Sequence, residues 1–376
     1  MASQRRQLTE SEMHVGVPLP WNVYDATGRL LLRSGYVIGT QKQIETLSKF
    51  GLFREQTAAD SEKEAPLRPA AKLSPFDTIN LFQYRLKAIF GEINKSTGAI
   101  VKEQITNFAQ DVQALCKEDL DAALGALHLD NEGQYTHIHP IHTALLVELI
   151  GKRLGLEEVE RQSIIAAALT ANVGMLELQE LLHLQKDGLT ARQREEVWGH
   201  PERSVALLKA AGVDDALMLD TVLSHHERMD GSGYPNGLSG TAIAMAVRMI
   251  ALADTYSAMV TPRAYRAEMQ AKEALKEIFL KRGKEIDESL AHVFIKELGI
   301  YPPGAFVRLE NGEIAVVIRR GKDATHPVVQ SIISPRGGAY TAARRHSCEQ
   351  EMYQIKEVVR REKNSAVNLR KLWGYE

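Results

Sequence analysis

Apolar residues recur at intervals of three and four over most of residues 75–298, and this spacing predicts a largely helical region. The pattern is clear in NLFQYRLKAIFGEI, VKEQITNFAQDVQAL and HTALLVELIGKRLGL. The stretches SIIAAALTANVGML (Ser163–Leu176) and AIAMAVRMIALADTYSAMV (Ala242–Val260) are apolar on almost every side, so both are expected inside a helical bundle. The glycine-rich segment DGSGYPNGLSG interrupts the helices and is predicted to be a loop.

The two ends of the chain show a different pattern. Near the N-terminus, short apolar runs are broken by DATGR and RSG, which is typical of β-hairpins, and TQKQIETLSKFGLF has the spacing of one short helix. Beyond YPPG, the segment AFVRLENGEIAVVIRR predicts two strands around Asn311-Gly312, and HPVVQSII predicts a third. The tail from Glu349 is predicted to be a solvated helix.

These patterns predict a mainly α fold, with a small N-terminal β-rich or α/β unit and a C-terminal β-hairpin extension followed by a helix. The predicted divisions are an N-terminal unit at 1–55, a linker at 56–74, connecting helices at 75–130, a helical domain at 131–300 and the extension at 301–376.

Composition narrows the classes of function. The chain has 376 residues and a net charge of −2, which gives no field that would attract a DNA or RNA duplex or anionic lipid. No apolar run approaches the ~20 residues of a membrane span, and the N-terminal segment lacks the apolar core of a signal peptide. Only two cysteines are present, so a disulfide framework is excluded and a cytoplasmic protein is expected.

Five residues of the helical region are candidate metal ligands: His139, His200, His225, His226 and Asp254. Asp254 lies in an apolar helix, where a carboxylate needs either an ion pair, for instance with Arg248, or a metal. His225 and His226 are adjacent, so on a helix their rings would point about 100° apart, towards two metals or one metal and one substrate group. The other two histidines each precede a helix with an apolar face, and a capping or core role is the alternative for them.

Residues of about 130–300 resemble an HD-GYP domain, the metal-dependent branch of the HD superfamily that hydrolyses cyclic di-GMP. The segment HHERMDGSGYPNGLSG is similar to the family signature HHExxDGxGYP, and ADTYSAMVTPRAYR resembles the segment D-x-x-x-A-M-x-x-x-R-x-Y-R. The segments YTHIHPIHTALLVELIGKRLGL and REEVWGHPERSVALL resemble those that carry two further histidine ligands, His139 and His200. The resemblance implies an HD-type helical bundle in which the five candidates are metal ligands.

The histidine–aspartate pair for which the HD superfamily is named is missing from this chain. Its segment A-x-L-L-H-D-I-G-K corresponds to AALTANVGM, so Ala171 stands at the histidine ligand and Asn172 at the aspartate. Met175 replaces the lysine that would face the substrate phosphate. His137 and His142 lie near enough in sequence to His139 to replace the lost ligand, with exposed positions at a helix end as the preferred interpretation.

The missing aspartate implies a weakened metal site. Two dications ~3.5 Å apart repel by roughly 19 kcal/mol at an effective dielectric near 20, and in the family the aspartate bridges them. Because Asn172 brings no negative charge, a two-metal centre is not expected. One divalent ion (Fe, Mn, Ni or Zn) remains possible at reduced affinity, held by His139 and Asp254 with His200 or the His225-His226 pair.

The glycine-rich loop is intact in this comparison. In the family it is proposed to dock GGDEF-domain diguanylate cyclases, and the corresponding positions are Asp230, Gly231, Gly233, Tyr234 and Pro235. The glycines permit positive φ, and neither they nor the proline depend on metal. Arg263 and Arg266 could bind a substrate phosphate, with surface ion pairing as the alternative.

Loss of the dyad beside an intact loop leads to the expected function. The chain is predicted to act in bacterial cyclic di-GMP signalling by docking a protein, by sensing the nucleotide or by both, with no certain catalytic residue. An active cyclic di-GMP phosphodiesterase with a reduced or rebuilt metal site is the alternative, and a purely structural helical scaffold is a third interpretation.

Overall fold

The computed structural model describes the chain except residues 1–4, 10–11, 15–18, 20, 26–27, 37, 39–42, 45–46, 48–51, 56–72, 96–98, 131–132, 263–268, 362–367 and 376. The chain divides into two compact units, Met1–Ala88 and Ile89–Glu376. The predicted linker therefore lies almost wholly outside the described residues. The short helix predicted over TQKQIETLSKFGLF also lies largely outside them, although Gln43, Ile44 and Leu47 are helical. The domain divisions predicted above stay predictions.

The N-terminal unit contains a small antiparallel sheet. Its strands are β1 (Arg5–Gln7), β2 (Val23–Tyr24), β3 (Leu30–Leu32) and β4 (Phe53–Glu55), in the order β1-β4-β2-β3. One face of the sheet covers an apolar core that includes Met13, Ile38 and Leu52. The β-rich character predicted from the hairpin signals is confirmed.

The second unit is built mainly from helices, which confirms the mainly α fold. The helices that lie wholly within the described residues are α1 (Pro75–Asn94), α2 (Ala99–Leu129), α3 (Tyr135–Leu154), α4 (Glu158–Thr170), α5 (Leu176–Leu184), α6 (Ala191–Trp198), α7 (His200–Ala210), α8 (Ala216–Ser224), α9 (Met245–Val260), α10 (Ala271–Lys281), α11 (Glu288–Leu298) and α12 (Leu369–Trp373). Helices α3, α4 and α9 carry the apolar stretches seen in the sequence, and most of their side chains are buried. They form the centre of the bundle, as predicted.

A five-stranded antiparallel sheet follows the bundle. Its strands are β5 (Phe306–Leu309), β6 (Ile314–Arg319), β7 (Val328–Ile333), β8 (Ala339–Ser347) and β9 (Ile355–Val358), in the order β8-β7-β6-β5-β9. The hairpin around Asn311-Gly312 is confirmed, with Val307 opposite Ala315. The helix predicted from Glu349 is wrong for residues 355–358, which pair with β5 because the edge of that sheet offers unpaired backbone groups.

One stretch of the described residues, Glu158–Leu184, is long and apolar enough to cross a membrane by length and composition alone, and 61% of its apolar window is buried inside the fold. The 3-10 turn Val173–Met175 divides this stretch into α4 and α5. Burial against the neighbouring helices accounts for its apolar character, because a helix that is apolar all round belongs to a core.

Candidate metal centre

Three histidines converge at one end of the bundle. His200 is the first residue of α7, and His225 and His226 directly follow α8. One ring nitrogen of each histidine lies within 4.8 Å of one ring nitrogen of each of the other two. The expectation that the adjacent pair points about 100° apart is wrong, because α8 ends at Ser224 and the two rings come together with centroids 4.0 Å apart. The pair therefore faces one common space.

Backbone carbonyls fix the protons on two of these rings. The Nδ1 of His200 lies 2.5 Å from the Val197 carbonyl, and the Nδ1 of His225 lies 2.7 Å from the Val222 carbonyl. A carbonyl can only accept, so each Nδ1 must carry the proton and donate it. The two Nε2 atoms then face each other with free lone pairs at 3.2 Å. Ligating histidines typically donate their second N–H in this way.

The third ring completes a donor set that fits one metal ion. The Nε2 of His226 is buried and has no hydrogen-bond partner among the described residues. Three imidazole nitrogens with available lone pairs are the protein ligands of one type of zinc site, and imidazole also suits iron and nickel. The residues present therefore fit a single divalent ion.

Burial keeps these rings neutral. Burial, with a smaller contribution from the neighbouring His225, lowers the pKa of His200 to about 3. Burial also lowers the pKa of His225 and, together with the charge of His225, lowers that of His226 well below its ordinary value. A metal ion therefore competes with no protons at these nitrogens near neutral pH.

His139 and Asp254 form a separate pair beside the cluster. His139 lies inside α3 rather than before a helix, and its Nε2 is 2.8 Å from Oδ1 of Asp254. Burial raises the pKa of the Asp254 carboxyl, but the hydrogen bond and charge of His139 outweigh it and hold the pKa below its usual range. The alternative ion pair with Arg248 is wrong, because that guanidinium lies 3.0 Å from Asp287.

The turn that lacks the dyad packs against the histidine cluster. Ala171 and Asn172 are buried between α4 and the 3-10 turn. A side chain on Gly174 would lie 2.7 Å from the His200 carbonyl oxygen, which shows how closely the turn approaches the start of α7. The Oδ1 of Asn172 is buried without a hydrogen-bond partner in the described part of the chain. Asn172 is thus a buried amide whose oxygen is unpaired within the described part of the chain.

The two histidines considered as replacements lie elsewhere. His137 stacks on Phe90 with ring centroids 5.9 Å apart. His142 is fully buried, so an exposed position at a helix end is wrong for it, and neither of its ring nitrogens has a described partner. Burial lowers its pKa to about 3, with smaller effects from His139 and His128. Neither belongs to the three-histidine cluster.

The glycine-rich loop folds back onto the cluster. Asp230 pairs with Ser239 across its base, and Gly231 has a φ of 78°. A side chain on Gly233 would lie 2.5 Å from the His226 carbonyl oxygen, so only glycine allows this approach. The ring of Tyr234 stacks on His226 at 4.7 Å, before the cis bond to Pro235. Tyr234 therefore faces the site, while Asp230 is exposed.

Glu227 holds this loop in place. Its buried carboxylate accepts hydrogen bonds from the backbone N–H groups of Asn236 at 2.7 Å and Leu238 at 2.8 Å. The sequence analysis missed this role. Its only signal was an acid between the histidines and a glycine-rich segment, whose backbone N–H groups need acceptors.

We expect Glu227→Gln to lower the free energy of unfolding by about 2 kcal/mol, because the amide offers one acceptor where the carboxylate offers two charged ones. The amide protons of Asn236 and Leu238 should also exchange faster. Glu285→Gln is the matched control, since its partly exposed carboxylate only bridges Arg228 and Lys281. Equal effects of the two substitutions on urea unfolding and hydrogen exchange would contradict the role of Glu227.

Two cavities flank the cluster. One, of about 470 Å³, is lined by Tyr135, Met175 and His183, together with His226 and Tyr234. The other, of about 510 Å³, is lined by Asp254 and Arg248 as well as the His225-His226 pair. Both volumes suit small-molecule ligands. Arg263 and Arg266, the predicted phosphate contacts, lie outside the described residues.

The part of the chain that contains this arrangement is similar in sequence to known proteins. A family profile described as HD domain matches residues 110–290. The chain is 29% identical over 239 residues to the cyclic di-GMP phosphodiesterase PA4108 of Pseudomonas aeruginosa, a match that covers 63% of this chain and 58% of that protein. It is 27% identical over 212 residues to the cyclic di-GMP phosphodiesterase response regulator RpfG of Xanthomonas campestris, covering 55% of this chain and 54% of the relative.

Further similarities agree with these. A 3'3'-cGAMP-specific phosphodiesterase 1 of Vibrio cholerae is 33% identical over 159 residues, covering 41% of this chain and 36% of the relative. The chain spans about half the length of PA4108 and about half the length of RpfG. Among solved structures, the HDG"Y"P protein Bd1817 of Bdellovibrio bacteriovorus has the same fold, with a TM-score of 0.51, 13% identity and coverage of 77% of this chain and 98% of that one. The family profile, the histidine cluster and the loop together show that the chain contains an HD domain of the HD-GYP type at residues 110–290.

Proposed function

We propose that this protein acts in cyclic di-GMP signalling by binding the nucleotide without efficient turnover, through an HD-GYP site that holds one metal ion. The observation that carries the proposal is the contrast within the site. Three histidine nitrogens are available to an ion, while Ala171 and Asn172 stand beside them where the family supplies a ligand and a bridging carboxylate.

Charge explains why a second ion is disfavoured. Among the five candidate ligands, Asp254 is the single carboxylate, and it is engaged with His139. The amide of Asn172 cannot offset the repulsion between two dications, because it is neutral. A single bound ion would lower the pKa of a water molecule, but two-metal displacement needs a second ion to stabilise the leaving oxygen. Nucleotide binding with slow or absent hydrolysis follows.

We also propose that the glycine-rich loop docks a protein partner, for which GGDEF-domain diguanylate cyclases are the candidates. Exposed Asp230, Ser232 and Asn236 form its outer surface, and Glu227 braces it independently of metal. The two cysteines are free and buried, which supports a reducing, cytoplasmic location.

Active hydrolysis by a reduced site is the second candidate, because His225, His226 and Asp254 line one cavity and His200 lies beside the two histidines. A titration of cyclic di-GMP into the zinc- or manganese-loaded chain, followed by product analysis, separates the two. We expect saturable binding with no linear product detectable over several hours. Turnover that disappears in Asp254→Ala would establish the phosphodiesterase instead, and absence of binding would contradict both.

A further inference from the structure

Aromatic stacks line the cavity of about 470 Å³ that is also lined by Met175, here called the Met175 cavity. In one stack, the ring of Tyr135 lies on that of His183, with centroids 4.8 Å apart and planes at 20°. In the other, the ring of Tyr234 lies on that of His226, with centroids 4.7 Å apart and planes at 30°. Nucleobases stack on aromatic side chains of this kind, so these walls favour a flat aromatic ligand.

A buried amide of the same cavity lacks a partner. Gln179 lies on α5, lines the Met175 cavity and is 8% exposed. Its Oε1 is buried and has no hydrogen-bond partner among the residues that the structure describes. Buried polar atoms are nearly always hydrogen-bonded in folded proteins, so this oxygen needs a donor from the cavity. An amide carries an acceptor beside two donors, which is the pattern that pairs with the edge of a purine base.

The Met175 cavity is also lined by a cation. Lys186 is exposed there and makes no ion pair with any residue of the described part of the chain. Met175 stands where the resemblance places the lysine that faces the substrate phosphate. Lys186 therefore brings a positive charge, on a flexible stem, to the cavity from which that lysine is missing. Asp187 lines the cavity as well, so one carboxylate accompanies one cation.

The second cavity beside the cluster, of about 510 Å³ and here called the Asp254 cavity, suits a phosphate less well. Five carboxylates line it, against three cations. Each of those cations pairs with a carboxylate of the same cavity: Arg228 and Lys281 with Glu285, and Arg248 with Asp287. A phosphate group in this cavity would be repelled by the carboxylates that are left over.

We propose that the Met175 cavity receives one purine base of the nucleotide, that Gln179 recognises the edge of this base, and that Lys186 contacts the phosphate in place of the missing lysine. This inference rests on the proposed binding of cyclic di-GMP. It adds two residues that determine specificity, and it assigns the base to one of the two cavities.

Calorimetric titration of the zinc-loaded chain with two probes tests these roles. Cyclic di-GMP carries both base and phosphate, whereas inorganic phosphate carries no base. Gln179→Leu should weaken cyclic di-GMP about tenfold, as expected for loss of an amide contact to a base, and leave phosphate affinity unchanged. A merely structural role of Gln179 would change the affinities of both probes together, and that result would overturn its assignment.

Lys186→Met should weaken both probes about fivefold, the upper end for an exposed ion pair, and should make cyclic di-GMP binding less sensitive to salt. Lys209→Met is the matched control, because Lys209 is likewise exposed but lies at the end of α7 and lines neither cavity. Equal effects of the two substitutions would refute the role of Lys186.

Filling each cavity in turn tests the assignment of the base, even if Gln179→Leu fails to fold. Gly188 lines the Met175 cavity, and a Cβ there would meet no atom within 4 Å, so Gly188→Trp should fold and bind zinc normally. It should weaken cyclic di-GMP at least about tenfold. Ala251→Phe, which enlarges a side chain that lines the Asp254 cavity, should leave that affinity unchanged.

The outcomes separate this inference from the proposed function. A native zinc-loaded chain that binds no cyclic di-GMP refutes the proposed function, and the inference falls with it. Binding that survives Gly188→Trp but is lost in Ala251→Phe refutes the inference alone, because the nucleotide would then occupy the Asp254 cavity.

Discussion

Replacing Ala171 with histidine and Asn172 with aspartate is expected to raise the metal content from one to two ions per chain and to increase hydrolysis of cyclic di-GMP at least about a hundredfold. The added carboxylate would lie between the ions and offset their repulsion. The added imidazole would supply the ligand that alanine lacks. Both positions are buried, and the adjacent Gly174 lies close to the start of α7, so the two new side chains would lie near the histidine cluster.

The single substitution Asn172→Asp is the control for this experiment. It places a charge at a buried position where Oδ1 already lacks a partner, so without metal it should lower the melting temperature. Divalent metal should then reverse this loss. Metal content and activity are measured together for the native chain, Asn172→Asp and the double variant. A double variant that folds, binds two ions and still fails to hydrolyse would show that Met175 or other positions also limit activity.

Acidification from pH 7.5 to pH 5 is expected to lower the free energy of unfolding by about 2 kcal/mol because His128 becomes protonated more readily in the unfolded chain. Its Nδ1 donates to the Pro303 carbonyl at 2.8 Å, and its Nε2 accepts from the Tyr256 hydroxyl at 2.8 Å. Burial lowers its pKa to about 4, against 6.5 for an ordinary histidine. Because folding lowers this pKa, neutral His128 makes its full contribution to the free energy of unfolding above pH 6.5. That contribution is lost as the pH falls towards 4.

His128→Gln provides the comparison, because an amide can donate and accept in the same place without titrating. Urea unfolding at both pH values should show the native chain losing about 2 kcal/mol more than the variant. The other buried histidines titrate in both proteins and cancel in the difference. Identical losses would show that His128 does not couple protonation to folding.

The helical core could be predicted from the sequence, and the motifs drew attention to the candidate ligands, three of which the fold brings together. Apolar spacing located α3, α4 and α9, and the motifs identified the four histidines and Asp254. These features depend on local periodicity and on short segments, which a single sequence contains.

The arrangement of those residues relative to one another could not be predicted. Whether His225 and His226 face one ion or two depends on α8 ending at Ser224, and helix ends vary by a residue or two. The contact between His139 and Asp254 joins residues that are 115 positions apart in sequence. Strand β9 was missed for a similar reason, since its partner β5 lies nearly fifty residues earlier and local spacing does not record the pairing.

The metal content of the native 376-residue chain is the most direct test of the single-ion site. The chain is loaded in turn with zinc, manganese and iron(II), dialysed against buffer, and analysed for metal and protein. We predict one tightly held ion per chain, lost in His226→Ala. Two ions retained with similar affinity, with Asn172 and Ala171 unchanged, would contradict the account.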